Sequence, residues 1–288
     1  MSEPVFYFTH LHYSAFFKGE DRLHSEIKIN EFILYFAHLH YLCSGMITDN
    51  TKNADFTKVK VIAFDADDTL WDCQSHFELA VQRYCKLLSP WGTADEISQA
   101  LYQVEKANMP SLGYGCKAFT LSLIENAVRV SHGEITGVMI HEVMQLGRNL
   151  LMLPATPLDG VENVLKALQT LGRYRLVVFT KGELLDQENK LKRSGLEKYF
   201  EYVEIVSDKM PQAYVGLCEK LNVKPQDLLM VGNSFKSDIA PALSVGASAV
   251  YIPFHVTWQL EHTEEYDHHR LEKLNHISEL LPLFVSTR

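Results

Sequence analysis

The segment VIAFDADDTLWD, Val61 to Asp72, constrains this chain most, because an apolar run ends on two carboxylates, Asp65 and Asp67, with Thr69 two residues further on. Val59, Val61, Ile62, Ala63 and Phe64 have the pattern of a strand buried on both faces, the kind found in parallel sheets, where ligands collect beyond the strand carboxyl ends. Side chains two apart on an extended chain point the same way. A D-x-D-x-T run at a strand end therefore offers one ligand a nucleophile, a proton carrier and a hydroxyl. Alone, such a run is equally compatible with a solvated turn, so the rest of the chain has to decide.

Three more apolar runs end on chemistry-bearing residues. Leu176 to Phe179 leads to Thr180, Lys181 and Gly182; Val203, Ile205 and Val206 lead to Lys209, just ahead of a helix beginning near Pro211; Leu228 to Val231 leads to GNSFKSD, with Asn233 and Asp238. Strands are predicted near 58–65, 174–180, 202–206, 228–232 and 248–252, with helical patterns between them. One of these, Asp159 to Leu171, has a capping Asp, apolar Val161, Val164, Leu165 and Leu168, and Gly172 at its end. Strand–helix alternation predicts an α/β fold with a doubly wound, Rossmann-like parallel sheet. Between the first two strands, residues 76–155 carry helical periods at 77–88, 95–107, 117–131 and 134–151, separated by Ser89-Pro90, Met109-Pro110 and Gly133. An inserted helical domain is expected there, with core segments at 46–75 and 156–288.

Composition narrows the function classes. With 288 residues, 47% of them hydrophobic, there is material for one large or two modest domains. A net charge of -9 argues against sequence-independent nucleic-acid binding, which needs Lys and Arg on phosphates. It leaves room for a phosphate site neutralised by a metal and a few local lysines. Five cysteines without a CxxC pair suggest reduced thiols and a cytoplasmic setting. Residues 1–45 differ from the rest, with ten Phe or Tyr and five His, including a repeated HLHY. They are expected to be an appendage to a domain that begins near Met46. Neither a signal peptide nor a run of ~20 apolar residues is evident, so no membrane association is expected.

The ordered set D-x-D-x-T, T, K and G-N-x4-D over roughly residues 58–255 resembles the haloacid dehalogenase-like hydrolase superfamily, and the insertion after the first motif resembles its C1-type helical cap. The resemblance implies strand order 5-4-1-2-3 and a Mg²⁺-dependent phosphatase acting on a small-molecule phosphate ester. In such an enzyme Asp65 attacks phosphorus, and Asp67 protonates the leaving oxygen and then activates water. Thr180 binds a phosphoryl oxygen and Lys209 offsets the negative charge. The implied metal set is Asp65, Asp67 through its backbone carbonyl, Asn233 and Asp238. Asn233 departs from the commonest pattern, which has Asp directly after the glycine, and brings less charge to the metal.

Thr69, Lys181, Asn108 and Lys117 are the candidate substrate contacts, the last two from the cap stretch NMPSLGYGCKAF. Trp71, His255 and Trp258 are expected to pack or to line the rim. A phospho-accepting receiver domain would lack both the insertion and the paired carboxylates. A dehalogenase would need neither metal nor Asp67, whereas a phosphomutase keeps both aspartates and stays open, as do the substrate and the oligomeric state.

Overall fold

Val61–Phe64 forms β1, and all four of its residues are buried, as a strand covered on both faces requires. In the computed structural model, which describes residues 54–285, β1 pairs in parallel with β2 (Arg175–Lys181) on one side and β4 (Leu228–Gly232) on the other. β3 (Tyr202–Val206) pairs with β2, β5 (Ser248–Tyr251) pairs with β4, and β6 (Leu271–Lys273) extends the sheet beyond β5. The resulting order, β3-β2-β1-β4-β5-β6, is the expected five-strand order plus one strand. β6 is three residues long with Glu272 and Lys273 in it, too short and too charged to show a period of two.

The account that follows concerns residues 54–280, which lie within one compact unit; a short helix, Pro282–Val285, belongs to the other. The expectation about residues 1–45 falls outside the described residues.

Five α-helices lie between β1 and β2, and the first four form the insertion: α1 (Gln74–Leu87), α2 (Ala94–Leu112), α3 (Cys116–Val130) and α4 (Gly137–Leu151). Then follow α5 (Val161–Leu171), α6 (Leu184–Ser194) after β2, α7 (Pro211–Leu221) after β3, and the short α8 (Ala240–Ser244) before β5. Alternate residues of the central strands, Val61 and Ala63, Val177 and Phe179, Leu228 and Met230, pack on Tyr214, Leu217 and Leu221 of α7. The insertion has a core of its own, built on Tyr84, Ile97, Leu101, Phe119, Leu123, Val143 and Leu150. Its entry and exit run side by side, with Leu158 N donating to Leu70 O at 2.9 Å and Trp71 bridged to Pro157.

Two local expectations are corrected. α2 runs through Met109-Pro110, where a turn is predicted, and stops at Gly113 with φ 69°. Proline has a helical φ and loses only one backbone bond near a helix end, whereas the left-handed glycine supplies the actual stop. α5 is capped by left-handed Gly160 rather than by Asp159, whose side chain is 99% exposed.

α3 and α4 approach closely at Gly147. A Cβ there would lie 1.8 Å from Thr120 Oγ1 and within 3.0 Å of its Cβ and Cγ2. Overpacking of this kind costs about 1–3 kcal/mol, so Gly147→Ala is expected to lower the thermal midpoint by several degrees. An unchanged midpoint in a thermal melt would show that the two helices separate there without strain.

Candidate active site

The parallel sheet brings four chain segments to one edge. Asp65 continues the β1 ladder by donating its backbone N–H to Val231 O at 2.9 Å, which holds its carboxylate beside the end of β4. Asp68, in the left-handed region at φ 64°, then turns the chain away. Its carboxylate accepts from the N–H groups of Cys73 and Gln74, both at 2.8 Å, which anchors the start of α1. The sequence pattern gave no role to Asp68.

Lys209 is buried at 2% exposure and donates to both Asp65 and Asp238, the latter at 2.6 Å. Asp238 comes from a single π-helical turn, Phe235–Ile239, and accepts from Ser234 N at 2.9 Å. Gly232 is required beside it, since a Cβ at that position would lie 2.3 Å from Asp238 Oδ2. Two carboxylates thus share one buried ammonium. Burial pushes the Asp65 carboxyl up to about 7, against the pull of Lys209 and with the help of Asp238.

Asp67 faces a different partner. Lys190 of α6, 3% exposed, donates to both of its carboxylate oxygens at 2.7 and 2.8 Å; Gln187 Nε2 donates at 2.8 Å and Trp71 Nε1 at 2.7 Å. Burial would raise this carboxyl, but the Lys190 ammonium and these donors outweigh it and hold Asp67 below the usual carboxylate range. Lys190 also lies 3.7 Å from Asp186. Sequence reasoning missed Asp186, Gln187 and Lys190. Their helical spacing is a signal, yet on so polar a helix it looks the same as a solvated face.

Thr180 is the last residue but one of β2, 2% exposed, with only a 3.5 Å contact to Lys181 O, so its hydroxyl is available at the cavity wall. Thr69 does not line the cavity. It lies behind Asp65, with Oγ1 3.4 Å from Asp65 Oδ2 and 3.1 Å from the Asn233 side chain.

The inward end of the Asn233 amide meets oxygens only: Thr69 Oγ1 at 3.1 Å, and Asp65 Oδ2 and the Asp67 carbonyl at 3.2 Å. With nitrogen inward, Asn233 donates to all three. With oxygen inward, the convergence suits a hard cation, and this donor set fits Mg²⁺. No group of three or more His, Cys, Asp or Glu side chains suited to a metal occurs among the described residues, so a cation here would rely on the amide and a backbone carbonyl. Asp238 has both oxygens engaged, by Lys209 and Ser234 N, and the Asp67 carboxylate is engaged by Lys190.

A cavity of about 350 Å³ lies between this edge and the insertion. Asp65, Asp67, Thr180, Lys181, Lys209, Asn233, Asp238 and Asn108 all line it, but Lys117 does not. Lys117 points to solvent and pairs with Glu183, because α3 starts only at Cys116 and its exposed side carries the lysine away. Asn108 donates to Ser122 Oγ at 3.2 Å and Glu125 at 2.9 Å. The Lys181 ammonium is already occupied, by Glu261 at 2.5 Å, Ser237 Oγ at 2.7 Å and the face of Tyr114 at 4.0 Å. Trp258 lies edge-on to Tyr114, 6.0 Å between ring centres, and also borders the cavity. His255 Nε2 is 3.2 Å from Ser75 Oγ.

Removing Lys209 would leave two buried carboxylates without a counter-charge, which costs about 3–5 kcal/mol. Lys209→Met is therefore expected to be strongly destabilised in denaturant titrations, and adding Asp238→Asn should recover part of the loss. No recovery in the double variant would show that packing, not charge, dominates.

On the insertion side, burial, with Glu78 adding repulsion, pushes half-buried Glu105 up to about 7. A carboxyl raised on folding contributes stability that is lost as pH rises from its unfolded value through the folded one. Glu105→Gln should therefore leave the thermal midpoint unchanged near pH 4 and raise it at pH 8. Equal effects at both values would deny the shift.

Comparison with known proteins agrees with this geometry. A family model for haloacid dehalogenase-like hydrolases matches residues 59–246. A solved haloacid dehalogenase-like family hydrolase from Xanthomonas campestris is 30% identical, with TM-score 0.71 over 80% of this chain and 92% of its own. Glyceraldehyde 3-phosphate phosphatase of Pyrococcus abyssi is 29% identical over 68% of this chain and 82% of its own length. Human N-acylneuraminate-9-phosphatase is 24% identical over 67% and 82%.

Proposed function

Because the chain belongs to the haloacid dehalogenase-like hydrolases and is a phosphoric monoester hydrolase, we propose that it hydrolyses a small phosphorylated metabolite through an aspartyl-phosphate on Asp65. The observation that carries this reading is the pair of carboxylates at the end of β1, held by different lysines on one cavity wall. Asp65 is the nucleophile: its oxygen bonds to phosphorus as the ester P–O bond breaks. The leaving oxygen takes a proton from Asp67. Water then attacks phosphorus, Asp67 takes the water's proton, and the bond to Asp65 breaks.

Lys190, Gln187 and Trp71 fix the Asp67 carboxylate and keep it ionised at rest, the form needed as a base. A phosphate dianion beside it favours the protonated form needed in the first step. Thr180 and Lys209 hold the phosphoryl oxygens and the developing charge. Mg²⁺ is proposed as the cofactor, held by the Asp65 carboxylate, the Asp67 carbonyl and the Asn233 amide oxygen, with Asp238 orienting Lys209 behind them. Bound there, it would neutralise phosphate charge and polarise the P–O bond. The four-helix insertion acts as a C1-type cap that excludes water. The described cysteines, Cys73, Cys85, Cys116 and Cys218, are free and buried, which supports a cytoplasmic setting. No described helix is long and apolar enough to cross a membrane.

Asp65→Asn should fold normally and release no phosphate from p-nitrophenyl phosphate, and wild-type activity should vanish with EDTA and return with Mg²⁺. Appreciable turnover by folded Asp65→Asn would eliminate the covalent route, and full activity after metal stripping would remove the Mg²⁺ assignment.

A further inference from the structure

Between β5 and β6 the chain makes a short 3₁₀ turn, Gln259–Glu261, and the carboxylate at its end lines the cavity. The Glu261 side chain is 10% exposed. One of its oxygens, Oε1, accepts from Lys181 Nζ at 2.5 Å, and the other, Oε2, accepts from the hydroxyls of Ser234 and Ser237, each at 2.6 Å. Burial would raise this carboxyl, but the Lys181 ammonium and the two hydroxyls hold it below the usual carboxylate range. Glu261 is therefore an ionised acceptor with both oxygens engaged.

An acceptor in this place fixes the direction of each hydroxyl, because a hydroxyl has one proton to give. With that proton on Glu261, Ser234 Oγ is left to accept, and it accepts from Ser237 N at 3.1 Å. In the same way Ser237 Oγ accepts from Lys181 Nζ at 2.7 Å. These two serines bracket the start of the π-helical turn Phe235–Ile239, which presents Asp238 to Lys209, and Ser234 directly follows Asn233. Two further residues tie the same turn to its surroundings. The Tyr214 hydroxyl of α7 lies 2.9 Å from the carbonyls of Ser237 and Asp238, and Lys236 Nζ donates to Leu260 O at 2.6 Å. Single π-helical turns are rare and occur mostly at functional sites. Here side chains from α7, β2 and the segment after β5 converge on one.

Lys181 belongs to this frame. Two of its donors meet Glu261 and Ser237, and the Tyr114 ring lies 4.0 Å from the ammonium. Its charge is cancelled by Glu261 before any ester arrives. We propose that Glu261 is a positioning residue of the phosphoryl site: through Ser234, Ser237 and Lys181 it holds the turn that carries Asn233 and Asp238, and so keeps Asn233 among the oxygens that would receive the cation. Glu261 acts through these groups and is neither a metal ligand nor a partner of the reacting atoms.

This inference rests on the Mg²⁺-dependent phosphatase reading, and the test separates the two. Mg²⁺ alone is titrated into the full chain by calorimetry, and phosphate release from p-nitrophenyl phosphate is followed across Mg²⁺ concentrations. Wild type is compared with Glu261→Gln and with the double variant Ser234→Ala/Ser237→Ala, each checked for folding by its melting curve in EDTA. The serine variant leaves no charge unpaired, so it decides the matter even where Glu261→Gln fails to fold. Both variants should bind Mg²⁺ about tenfold to a hundredfold more weakly, the usual effect of removing a group that orients a metal ligand. The KM for the ester at saturating Mg²⁺ should stay close to that of wild type. Wild-type Mg²⁺ affinity in the folded variants would overturn the inference and leave the phosphatase reading standing. So would a loss confined to KM, which would make Lys181 a substrate contact. A wild-type chain that neither binds Mg²⁺ nor releases phosphate would overturn that reading and the inference with it.

Discussion

The Lys209 ammonium, shared by Asp65 and Asp238, is the interaction on which the site depends. None of these groups can be buried alone, because a charge in a dry space demands a partner. Together they tie the end of β1 to the segment before α7 and to the π-helical turn after β4. One ammonium against two carboxylates leaves a deficit of positive charge. That deficit sits beside the oxygens around Asn233, where a hard cation would restore the balance.

Asp67 is placed by a second, separate pairing. Lys190 reaches it from α6, and Trp71, in the segment that enters the insertion, contacts it from the other side. The two carboxylates of one short motif therefore have different surroundings. Burial raises the Asp65 carboxyl, and a nearby ammonium with two further donors lowers that of Asp67. Different environments for paired acids are what a division of labour between nucleophile and proton carrier requires.

The insertion lines part of the cavity and has a core of its own. That core packs α1 and α2 together, and Glu78 and Glu105 line the cavity from these two helices. Tyr114 and Trp258 meet at the rim, where the insertion and the segment after β5 approach each other. The cavity wall opposite the sheet edge is thus built by elements far in sequence from Asp65.

The sequence by itself determined the parallel sheet, its strand ends and the order in which Asp65, Thr180, Lys209 and Asn233 appear. Strand periodicity is local, and the residue that follows an apolar run stands at a sheet edge whatever else the chain does. It also located the four inserted helices, although a proline hid the true end of α2. Tertiary structure alone decided which polar side chains are buried. Lys190, Gln187 and Glu261 occupy stretches that look solvated, Lys117 looks like a substrate contact yet faces solvent, and Thr69 supports Asp65 instead of meeting the cavity. The physical reason is that a charge pattern on a helix gives spacing but not surroundings: the same Asp186–Lys190 spacing would be a solvated pair on an exposed helix and is buried here only because α6 packs against Asp67.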